Sequence, residues 1–560
     1  MTVDRARLRW NGWGLLDHPA AHDDREQLWR WVASTLGLAS LASTPAVSRD
    51  DVKIPASRLP RQARDAFTAL LGDEGISVRD DDRLFHARAR SYPDLLALRS
   101  GVIASAPDAV LFPRSPDDLL ALLTIAEHER VAVVPYGGGS SVVGGVTPLA
   151  GDFAAVVTVN LTRMTRVLAV DTTSLTATAE AGIYGPALEA DLQQHGVTLG
   201  HTPQSFEFST LGGWIAARGA GQMSGRYGKA ERWLLSARLA TPRGLWSSEN
   251  FPASAAGPRL TDIIAGSEGT LGIITDATVR VRRLPDATQF ACFLFPDFSS
   301  GLAAVRAMVQ SDVSSAMLRL SDADEVAFYR GFSHAGREIG LEHTLKDTLT
   351  DAYLRLRSVP KRPALLVASL EGSRTLVAHA LREVKRVAGA HGGVHVGAGP
   401  GRNWLKTRFE APYRRDAMLE RGLGVDTVET ATSWSDIFTL YHGVTATLRR
   451  AIAETLGEGA GHGVVMCHVS HVYPDGASLY FTFVFPRRLN DALAQWHSIK
   501  TAASDAIAEH GGTISHHHGV GTDHRPWLEA EKGPVGMRIL RAIKADLDPS
   551  GILNPGKIFV

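Results

Sequence analysis

The sequence predicts an α+β protein that is divided into more than one domain. Its 560 residues exceed what one compact core usually holds. From about residue 101 onward, helical and strand patterns alternate and are separated by glycine-rich turns. After residues 282–285 strands mix with longer helices, which indicates a further domain. We expect a helical N-terminal segment at 1–100, a glycine-rich domain at 101–286, a cap domain at 287–500 and a C-terminal segment at 501–560.

Composition excludes several classes of protein. Acidic and basic side chains both number 59, so there is no net charge with which to attract nucleic acid. Cys292 and Cys467 allow at most one disulfide and no thiolate zinc cage, which fits a reducing compartment. The first residues lack a secretory signal, and no apolar run approaches the roughly 20 residues that span a bilayer. We expect a cytoplasmic protein, compatible with contact at a membrane surface.

Sequence patterns place helices and strands along the first 200 residues. The stretch REQLWRWVASTLGL has the apolar spacing of an amphipathic helix. In SPDDLLALLTIAEHER, Ser115 is a suitable N-cap and Pro116 suits the first helical position. This helix leads into the apolar strand VAVVP, and LTATAEAG alternates like a further strand. GPALEADLQQHG then predicts a short helix that ends at Gly196.

The cap domain shows a different mixture of elements. QFACFLF, SAMLRL and ALLVASLEG are strand patterns, whereas SSGLAAVRAMVQ and the stretch that starts near Thr375 are helical. HVSHVYPDGASLYFTFVF predicts a hairpin around Pro474, Asp475 and Gly476, because these residue types favour turns. Arg319 lies within an apolar strand pattern, so its charge needs a partner. We therefore expect a mixed layer of sheet and helices.

A glycine-rich loop, PYGGGSSVVGG at residues 135–145, follows the strand VAVVP. Successive glycines let backbone N–H groups turn toward one anion, and Ser140 and Ser141 add hydroxyl donors. The loop is not a dinucleotide fingerprint, because Val142 stands where the third glycine should be, and it lacks the Gly-Lys-Ser/Thr ending of a P-loop. It predicts a phosphate-binding nest, with a flexible turn as the alternative.

Three further stretches give this loop a context. They are SFEFSTLGGWIAARGAGQMSGRYG, GSEGTLGIITDATVRVRRLP and DPSGILNPGK. With the loop, in this order and spacing, they resemble the FAD-binding domain of the vanillyl-alcohol oxidase superfamily, also called PCMH-type. This resemblance implies a two-part FAD-binding domain with an α+β cap, in which residues 137–141 hold the pyrophosphate. It implies FAD contacts by Pro135, Gly137, Gly138, Gly139, Ser140, Ser141, Ser205, Ser209, Thr210, Gly213, Gly266, Glu268, Gly269, Gly272, Ile273 and Arg319.

Further motifs resemble one family within that superfamily, the alkyldihydroxyacetone-phosphate synthases. They are LRWNGWG, GHTPQSFEFSTLGGW, MLRLSD, YRRDAMLE, SLYFTF and SHHHGVG, which are spread over nearly the whole chain. The resemblance implies a transferase of ether-lipid biosynthesis, which exchanges the acyl chain of acyl-dihydroxyacetone phosphate for a long-chain alcohol. It also implies that FAD acts through N5 without net redox change, while protein groups remove and return a proton on the substrate carbon.

The family's active-site histidine run matches His516, His517 and His518 in SHHHGVG, residues 515–521, here named the histidine segment. A neutral imidazole, with a pKa of about 6.5, can accept and return a proton at cytoplasmic pH. We expect one of the three to be the base. In an extended segment the outer two would share a face and the middle one would oppose them. A metal site and a solvated surface run are the alternatives, and no metal is expected.

Three other residues match positions near the family's active site, and Arg319 in MLRLSD is a further candidate. Tyr480 in SLYFTF is a candidate partner in proton transfer, although a strand tyrosine more often belongs to a core. Arg415 in YRRD suits a phosphate or carboxylate, with a surface charge as the alternative. Arg319 is either a structural support or a flavin contact. His201 in GHTPQS lies near the flavin in the family, with capping of a turn as the alternative.

Some features depart from the family. The ending ILNPGK is typical of flavin oxidoreductases that act on 2-hydroxy acids, so an FAD-dependent 2-hydroxy-acid dehydrogenase or oxidase is the alternative function. Thr202 and Gln204 replace an acid-containing version of GHTPQS. Superfamily members with histidine-linked flavin carry histidine where this chain has Ser140 or Ser141, so we expect non-covalent FAD.

The two functions predict different partners. The synthase predicts an apolar tunnel in the cap and loose attachment to membranes, because its lipid-like substrates reside in lipid. The oxidoreductase predicts that Arg415 or Arg319 binds a carboxylate and that the substrate bleaches the flavin. No peroxisomal ending is present. By analogy alone we expect a homodimer.

Overall fold

Two groups of β-sheets, one formed by strands up to residue 283 and one by later strands, organise the computed structural model. The structure describes residues 3–21, 23, 25–335, 359–457 and 459–559. Helices pack against both groups, which confirms the predicted α+β class. Among the described helices, none has the length and apolar character needed to cross a membrane. Residues 336–358 of the predicted cap domain lie outside the described residues.

The helices agree with the sequence patterns. The described α-helices are α1 Glu26–Thr35, α2 Arg61–Leu71, α3 Asp80–Phe85, α4 Tyr92–Ser100, α5 Pro116–His128, α6 Gly185–Gln194, α7 Leu211–Ala216, α8 Ser224–Tyr227, α9 Ala230–Trp233, α10 Thr261–Ile264, α11 Phe298–Gln310, α12 Ala323–Ala335, α13 Arg374–Ala390, α14 Gly399–Thr407, α15 Ala411–Leu419, α16 Ile437–Thr455, α17 Ala492–Glu509 and α18 Arg525–Leu547. Ser115 caps α5 by accepting the Asp118 N–H at 3.0 Å, as predicted.

The strands form four sheets in the described residues. They are β1 Ile76–Ser77, β2 Ala109–Leu111, β3 Val131–Tyr136, β4 Ala155–Asn160, β5 Val167–Asp171, β6 Thr176–Glu180, β7 Val197–Thr198, β8 Leu234–Thr241, β9 Gly244–Ser247, β10 Ile273–Arg280, β11 Arg282–Arg283, β12 Ala287–Phe295, β13 Met317–Ser321, β14 Ala364–Gly372, β15 Val394–His395, β16 Leu423–Ser433, β17 Val464–Val472 and β18 Gly476–Pro486. β17 and β18 pair antiparallel, which confirms the predicted hairpin.

The glycine-rich loop at 135–145 begins at the carboxyl end of β3. β2, β4 and β3 are parallel neighbours in a sheet of order β1-β2-β4-β3. An antiparallel sheet of order β5-β6-β10-β8-β9 shares a hydrophobic core with them. Carboxyl ends of parallel strands are the usual position of ligand-binding loops in α/β sheets. The first group of sheets therefore presents the loop at an edge suited to a ligand.

A seven-stranded antiparallel sheet forms the centre of the cap. Its order is β15-β12-β14-β13-β17-β18-β16, and its main hydrophobic core is separate from that of the first sheets. Cys292 of β12 and Cys467 of β17 are buried in this part as free thiols. The strands β16, β17 and β18 contribute seven polar side chains to the lining of the active-site cavity: Asp426, Thr427, His468, Ser470, His471, Tyr480 and Thr482.

After α17 the chain returns from the cap to the first sheets. The backbone N–H of Val133 donates to the Ile552 carbonyl at 2.8 Å, and the Asn554 N–H donates to the Val133 carbonyl at 2.8 Å. Leu553 thereby extends the edge of β3 as a parallel bridge. The histidine segment lies between α17 and α18 and contacts both groups of sheets.

The N-terminal motif LRWNGWG is bound to the cap helix α15. The Trp13 N–H donates to the Asp416 carboxylate at 2.6 Å. Gly14 has a φ of +65°, and a Cβ there would lie 2.1 Å from the Tyr413 hydroxyl oxygen. The glycine is therefore required by both conformation and space. This close packing brings Trp13 into the lining of the cavity.

Candidate active site

One cavity of about 450 Å³ lies between the glycine loops and the seven-stranded sheet, within the usual size range of ligand pockets. Its lining brings together most of the residues that the sequence predicted. These are Pro135, Gly137, Gly138, Gly139, Ser140, Ser141, Ser205, Ser209, Thr210, Gly213, Glu268, Gly269, Gly272, Arg319, Arg415, Tyr480, His517 and His518.

One side of the cavity consists mainly of backbone and small side chains. This side, here named the backbone wall, is formed by residues 135–145, 205–213 and 268–274. A Cβ on Gly138 would lie 1.8 Å from the Phe208 carbonyl oxygen, so the two loops touch through their backbones. Gly139 has a φ of +66°. Thr210 caps α7 by accepting the Gly213 N–H at 3.4 Å. No side chain larger than hydrogen fits at Gly138.

Hydroxyl groups of the backbone wall have defined partners. The Trp214 indole N–H donates to Ser209 Oγ at 2.7 Å, and Ser209 Oγ donates to the Ser205 carbonyl at 2.8 Å. Ser141 Oγ accepts the Gly145 N–H at 3.0 Å. Because it acts there as an acceptor, Ser141 still has its own proton to donate to a ligand.

Glu268 joins the backbone wall to the histidine segment. Its carboxylate accepts the backbone N–H groups of Val520 and Gly521, the latter at 2.8 Å. Burial raises the pKa of Glu268 to about 7, although the hydrogen bonds from these N–H groups oppose the shift. Glu268 therefore changes its protonation state near neutral pH.

The opposite side of the cavity presents long polar side chains. This side, here named the side-chain wall, is formed by Arg319, Arg415, His468, Tyr480, His517 and His518. Glu429 of β16 lies opposite Tyr480 of β18, which lies opposite His468 of β17. Directly opposite residues of neighbouring strands point to the same face of a sheet. The three side chains therefore form a row beneath the histidine segment.

Tyr480 occupies the centre of this row. Its ring stacks on that of His468 at a centroid distance of 5.0 Å and on that of His517 at 6.0 Å. Its hydroxyl donates to Thr427 Oγ1 at 3.2 Å. Burial raises the pKa of Tyr480 to about 12. Tyr480 thus keeps its proton at neutral pH and can donate a hydrogen bond.

The three consecutive histidines do not occupy equivalent positions. His517 and His518 line the cavity, whereas His516 stacks on His471 at a centroid distance of 5.0 Å. His516 Nε2 lies 2.6 Å from the Tyr473 hydroxyl. The backbone bends at each of the three residues, so the extended arrangement is not observed. Neighbouring imidazoles, rather than the outer two, therefore face the same space.

The environment of these imidazoles favours their neutral form. Burial lowers the pKa of His517 well below 6.5, and the charges of His518 and Lys229 add to this effect. Burial also lowers the pKa of His518, although Glu429 opposes the shift. Lys229 donates to the carbonyl of His516. At neutral pH, His517 and His518 are therefore available as proton acceptors.

The two arginines of the side-chain wall differ in their partners. Arg319 donates to Glu325 at 3.0 Å and lies 3.1 Å from His468 Nδ1, so its charge has the partner that the sequence required. Arg415 donates to the Arg90 carbonyl at 3.0 Å, and its buried Nε has no hydrogen-bond partner in the part of the chain that the structure describes. Among the described residues no carboxylate pairs with Arg415. Its charge is therefore the more available to an anionic ligand.

His201 does not line the cavity, contrary to the expected role at the flavin. Its ring packs against Trp214 and Trp233, at centroid distances of 4.7 Å and 5.1 Å. The Trp233 indole N–H donates to its Nδ1 at 3.2 Å. Burial lowers its pKa to about 3. His201 is thus a neutral core residue behind the backbone wall.

Gly266 and Ile273 also lie outside the lining. Residues on a strand face opposite sides alternately, and in β10 it is Ile274 that reaches the cavity. Ile273 packs into the hydrophobic core of the first sheets. Gly266, with a φ of +91°, shapes the turn that precedes Glu268.

Several residues of the site were not predicted. Trp13, His468 and His471 line the cavity, and Glu429 and Lys229 contact the histidine segment. The motif LRWNGWG was a signal for Trp13, whereas single polar residues within strand patterns carry no such signal. Strand register, which the sequence does not specify, places Glu429, His468 and His471 at the site, whereas Lys229 lies directly before α9.

Three of the imidazoles are close enough to share a metal ion. The candidate nitrogens of His471, His516 and His517 all lie within 4.8 Å of one another, the one such group in the described part of the chain. The rings of His471 and His516 are stacked, with 26° between their planes, instead of converging on one point. Lys229 adds a positive charge beside them. Both features disfavour a cation there.

Comparison with family models places FAD-binding modules along the chain. Residues 107–248 match the FAD binding domain, and residues 265–558 match the C-terminal domain of FAD linked oxidases. The second match covers more than half of the chain and includes the histidine segment.

Two curated relatives and one solved structure identify the family. The alkyldihydroxyacetonephosphate synthase of Dictyostelium discoideum is 33% identical over 92% of this chain and 84% of its own length. That of Trypanosoma brucei brucei is 30% identical over 98% of this chain and 92% of its own. A solved alkyldihydroxyacetonephosphate synthase superposes with a TM-score of 0.83 at 29% identity, with 99% of each chain covered. This chain belongs to the alkyldihydroxyacetonephosphate synthase family of FAD-binding proteins.

Proposed function

We propose that this protein is an alkyldihydroxyacetonephosphate synthase, which exchanges the acyl chain of acyl-dihydroxyacetone phosphate for a long-chain alcohol. In this exchange the bond between the substrate carbon and the acyl oxygen breaks, and a bond from that carbon to the alcohol oxygen forms. The hydroxyl proton of the alcohol leaves with the released fatty acid, so the reaction has no net redox change. The family relationship supports this function.

The observation that carries the proposal is an apolar extension of the cavity. Beyond the polar groups, the lining continues with Phe328, Phe332, Met418, Val425, Met466 and Val484. These residues belong to a hydrophobic cluster that also includes Leu28, Trp29 and Val32 of α1. A short 2-hydroxy acid such as lactate has no group that would fill such a region, whereas an acyl or alkyl chain gains roughly 0.8 kcal/mol per buried methylene.

The residues at the backbone wall fit FAD. Gly137, Gly138 and Gly139 leave a cradle without side chains, and Ser140 and Ser141 add hydroxyl groups for a pyrophosphate. The buried Oε1 of Gln222, also in the lining, has no hydrogen-bond partner among the residues that the structure describes and can accept from a ligand N–H. If bound there, FAD would supply an electron-poor ring that can act as an electrophile. Ser140 and Ser141 offer no histidine for a covalent link.

We assign proton handling to the side-chain wall. A neutral imidazole of His517 or His518 removes the proton from the substrate carbon and later returns it. Tyr480, whose pKa is raised, remains protonated and donates a hydrogen bond beside these imidazoles. Arg415 binds the phosphate, because its partly buried guanidinium lacks a carboxylate partner among the described residues. His516 supports the segment through Tyr473 instead of facing the cavity.

Where the protein acts is a further part of the proposal. Both lipid substrates partition into bilayers, so we expect a cytoplasmic protein that attaches loosely to membrane surfaces. Co-sedimentation with phosphatidylcholine vesicles that contain hexadecanol tests this, with hexadecanol-free vesicles as the control. By analogy alone we expect a homodimer. Light scattering, which gives the molar mass in solution, tests this.

The first experiment follows flavin spectrum and products without oxygen. Palmitoyl-dihydroxyacetone phosphate with hexadecanol should yield alkyl-dihydroxyacetone phosphate and palmitate, and the flavin should be oxidised at the end. Persistent bleaching by one member of a panel of 2-hydroxy acids, without ether product, would instead establish the oxidoreductase.

A substitution in the apolar extension tests its role. Val425→Phe adds bulk at the lining of the extension and should reduce turnover of hexadecanol by at least about tenfold, because overpacking costs about 1–3 kcal/mol. Butanol, which does not reach the extension, serves as the control substrate and should react as in the unmodified protein. Equal loss with both alcohols would argue against chain binding there.

A further inference from the structure

Glu429 holds the histidine segment through consecutive hydrogen bonds. Ser515 Oγ donates to its carboxylate at 2.9 Å, and the backbone N–H groups of His516, His517 and His518 donate at 2.7 Å, 3.0 Å and 2.9 Å. Glu429 is buried on β16, with 1% of its surface exposed. All four donors of one bent segment therefore converge on a single side chain.

Only an ionised carboxylate can satisfy this arrangement. It has two oxygens with about four lone-pair sites and no donor of its own, whereas an amide has one accepting oxygen. A buried backbone N–H without a partner costs about 1–3 kcal/mol. Although burial alone would raise the pKa of Glu429, attraction to His518 and the backbone hydrogen bonds lower it below its usual range. Glu429 is therefore charged at neutral pH.

The same carboxylate lies beside the imidazoles. His517 Nδ1 is 3.4 Å and His518 Nδ1 is 3.7 Å from its oxygens. Its negative charge opposes the lowering of the His518 pKa that burial and Lys500 cause. At 3.4 Å the same charge also favours protonated His517, against burial and the charges of His518 and Lys229. The other titratable groups around these rings are His516, Lys229, His468, His471, Tyr480, His201, His524, Asp426 and Lys500.

We propose that Glu429 is a positioning residue for the reaction: it fixes the backbone of the histidine segment so that His517 and His518 face the cavity, and it places a negative charge next to both rings. This role rests on the proposed function of the histidines. Glu429 does not line the cavity and acts through the segment that it binds.

Amide hydrogen exchange tests whether Glu429 fixes the histidine segment, and this measurement requires no substrate. In the FAD-bound protein, Glu429→Gln should accelerate amide exchange at residues 515–518 at least about tenfold, because one N–H then faces an amide donor. Glu531→Gln is the matched control, since Glu531 accepts the Ile514 N–H and the Thr513 hydroxyl just before the segment. Its effect should be confined to residues 513–514. Unchanged exchange at 515–518 in Glu429→Gln overturns the proposal, whatever reaction the protein catalyses.

Kinetics test the consequence for the reaction. Misplacement of a catalytic group by about 1 Å can reduce the rate by about 10²-fold. We therefore expect kcat of Glu429→Gln to fall by about that factor. KM for hexadecanol and the FAD content of the variant should stay within about twofold of the unmodified protein. Loss of the negative charge lowers the pKa of both imidazoles, so the acidic limb of the pH profile should move to lower pH. A purely structural defect would not move this limb.

A second variant keeps the test decisive if Glu429→Gln does not fold. Glu429→Asp retains the charge but shortens the side chain by one carbon, so kcat should fall while the acidic limb stays at its original pH. Wild-type kcat in either folded variant overturns the proposal. Absence of ether product from the unmodified protein contradicts the proposed function instead, and the exchange comparison still decides the role of Glu429.

Discussion

The two walls of the cavity are built on different principles. At the backbone wall, loops such as those of Gly138 and Phe208 approach so closely that no side chain fits between them. At the side-chain wall, Tyr480, His517 and Arg415 extend from three separate elements into the same space. A larger side chain should therefore disrupt the backbone wall, whereas a shortened side chain should disrupt the side-chain wall. The first should control whether FAD binds, and the second whether the bound protein reacts.

The largest expected effect is at the side-chain wall. His517→Ala should reduce turnover by about 10²–10⁴-fold, because general base catalysis contributes about that factor, while FAD remains bound. Product formation and flavin absorbance of the purified protein measure the two properties. Tyr480→Phe should act in the same direction. His379→Ala, at an exposed position of α13, is the control, and full activity in both active-site variants would refute the assignment of proton transfer.

The next effect, at the backbone wall, should show the opposite pattern. Gly138→Ala places a Cβ 1.8 Å from the Phe208 carbonyl oxygen, so the loops must separate at a cost of about 1–3 kcal/mol. The purified variant should contain less FAD, in proportion to its lost activity. Gly389→Ala, where an added Cβ meets nothing within 4 Å, should retain full FAD content. Normal FAD binding with lost turnover in Gly138→Ala would contradict the division between the walls.

Glu268, which connects the two walls, should produce a smaller effect that depends on pH. Its pKa is raised from 4.5 to about 7 in the folded protein, so the folded state holds a proton that the unfolded state releases between these values. Stability from this group is therefore lost as pH rises from about 4.5 to about 7. Glu268→Gln should gain up to about 3 kcal/mol relative to the unmodified protein across this window.

Denaturant unfolding at several pH values, with saturating FAD, measures this difference. Glu509→Gln, at an exposed position of α17, should show a constant difference across the same range. A constant difference for Glu268→Gln as well would mean that its carboxyl titrates normally.

The smallest effect should come from Ser141. Ser141→Ala removes the acceptor of the Gly145 N–H and one donor to the bound pyrophosphate, each worth about 1 kcal/mol. FAD affinity should fall by about fivefold to tenfold, with little change in turnover at saturating FAD. Fluorescence titration of the FAD-free protein measures the dissociation constant, and an unchanged value would place the pyrophosphate elsewhere.

The difference between the walls also explains what the sequence could predict. The backbone wall consists of three short stretches, each continuous in sequence, and their glycines and hydroxyl residues are visible as motifs. The helix at Ser115 and the hairpin at 474–476 were predictable for the same reason, because local turn and capping chemistry determines them. The α+β class follows from these local patterns.

The side-chain wall could be predicted only in part. His517, His518, Tyr480 and Arg415 were found through motifs of the family and not through spacing. Glu429 was missed because a single glutamate in a strand pattern shows nothing of the strand beside it.

His201 and Ile273 were predicted to lie at the flavin, but the structure places both in a core. A motif identifies a segment, but the side to which each residue points depends on packing against partners such as Trp214 and Trp233. The bend of the histidine segment likewise follows from the carboxylates that bind it, which lie about 90 and 250 residues earlier in the chain.

The return of the chain to β3 has a consequence for biosynthesis. Residues 515–521 are translated after the strands of both groups of sheets. Leu553, which extends the edge of β3, is translated later still. A ribosome that stops before residue 515 therefore releases a protein with most of its hydrophobic cores but without any of the three adjacent imidazoles. Such a product would lack the imidazoles that we assign to proton transfer and should therefore be inactive. Completion of translation thus becomes a condition for activity.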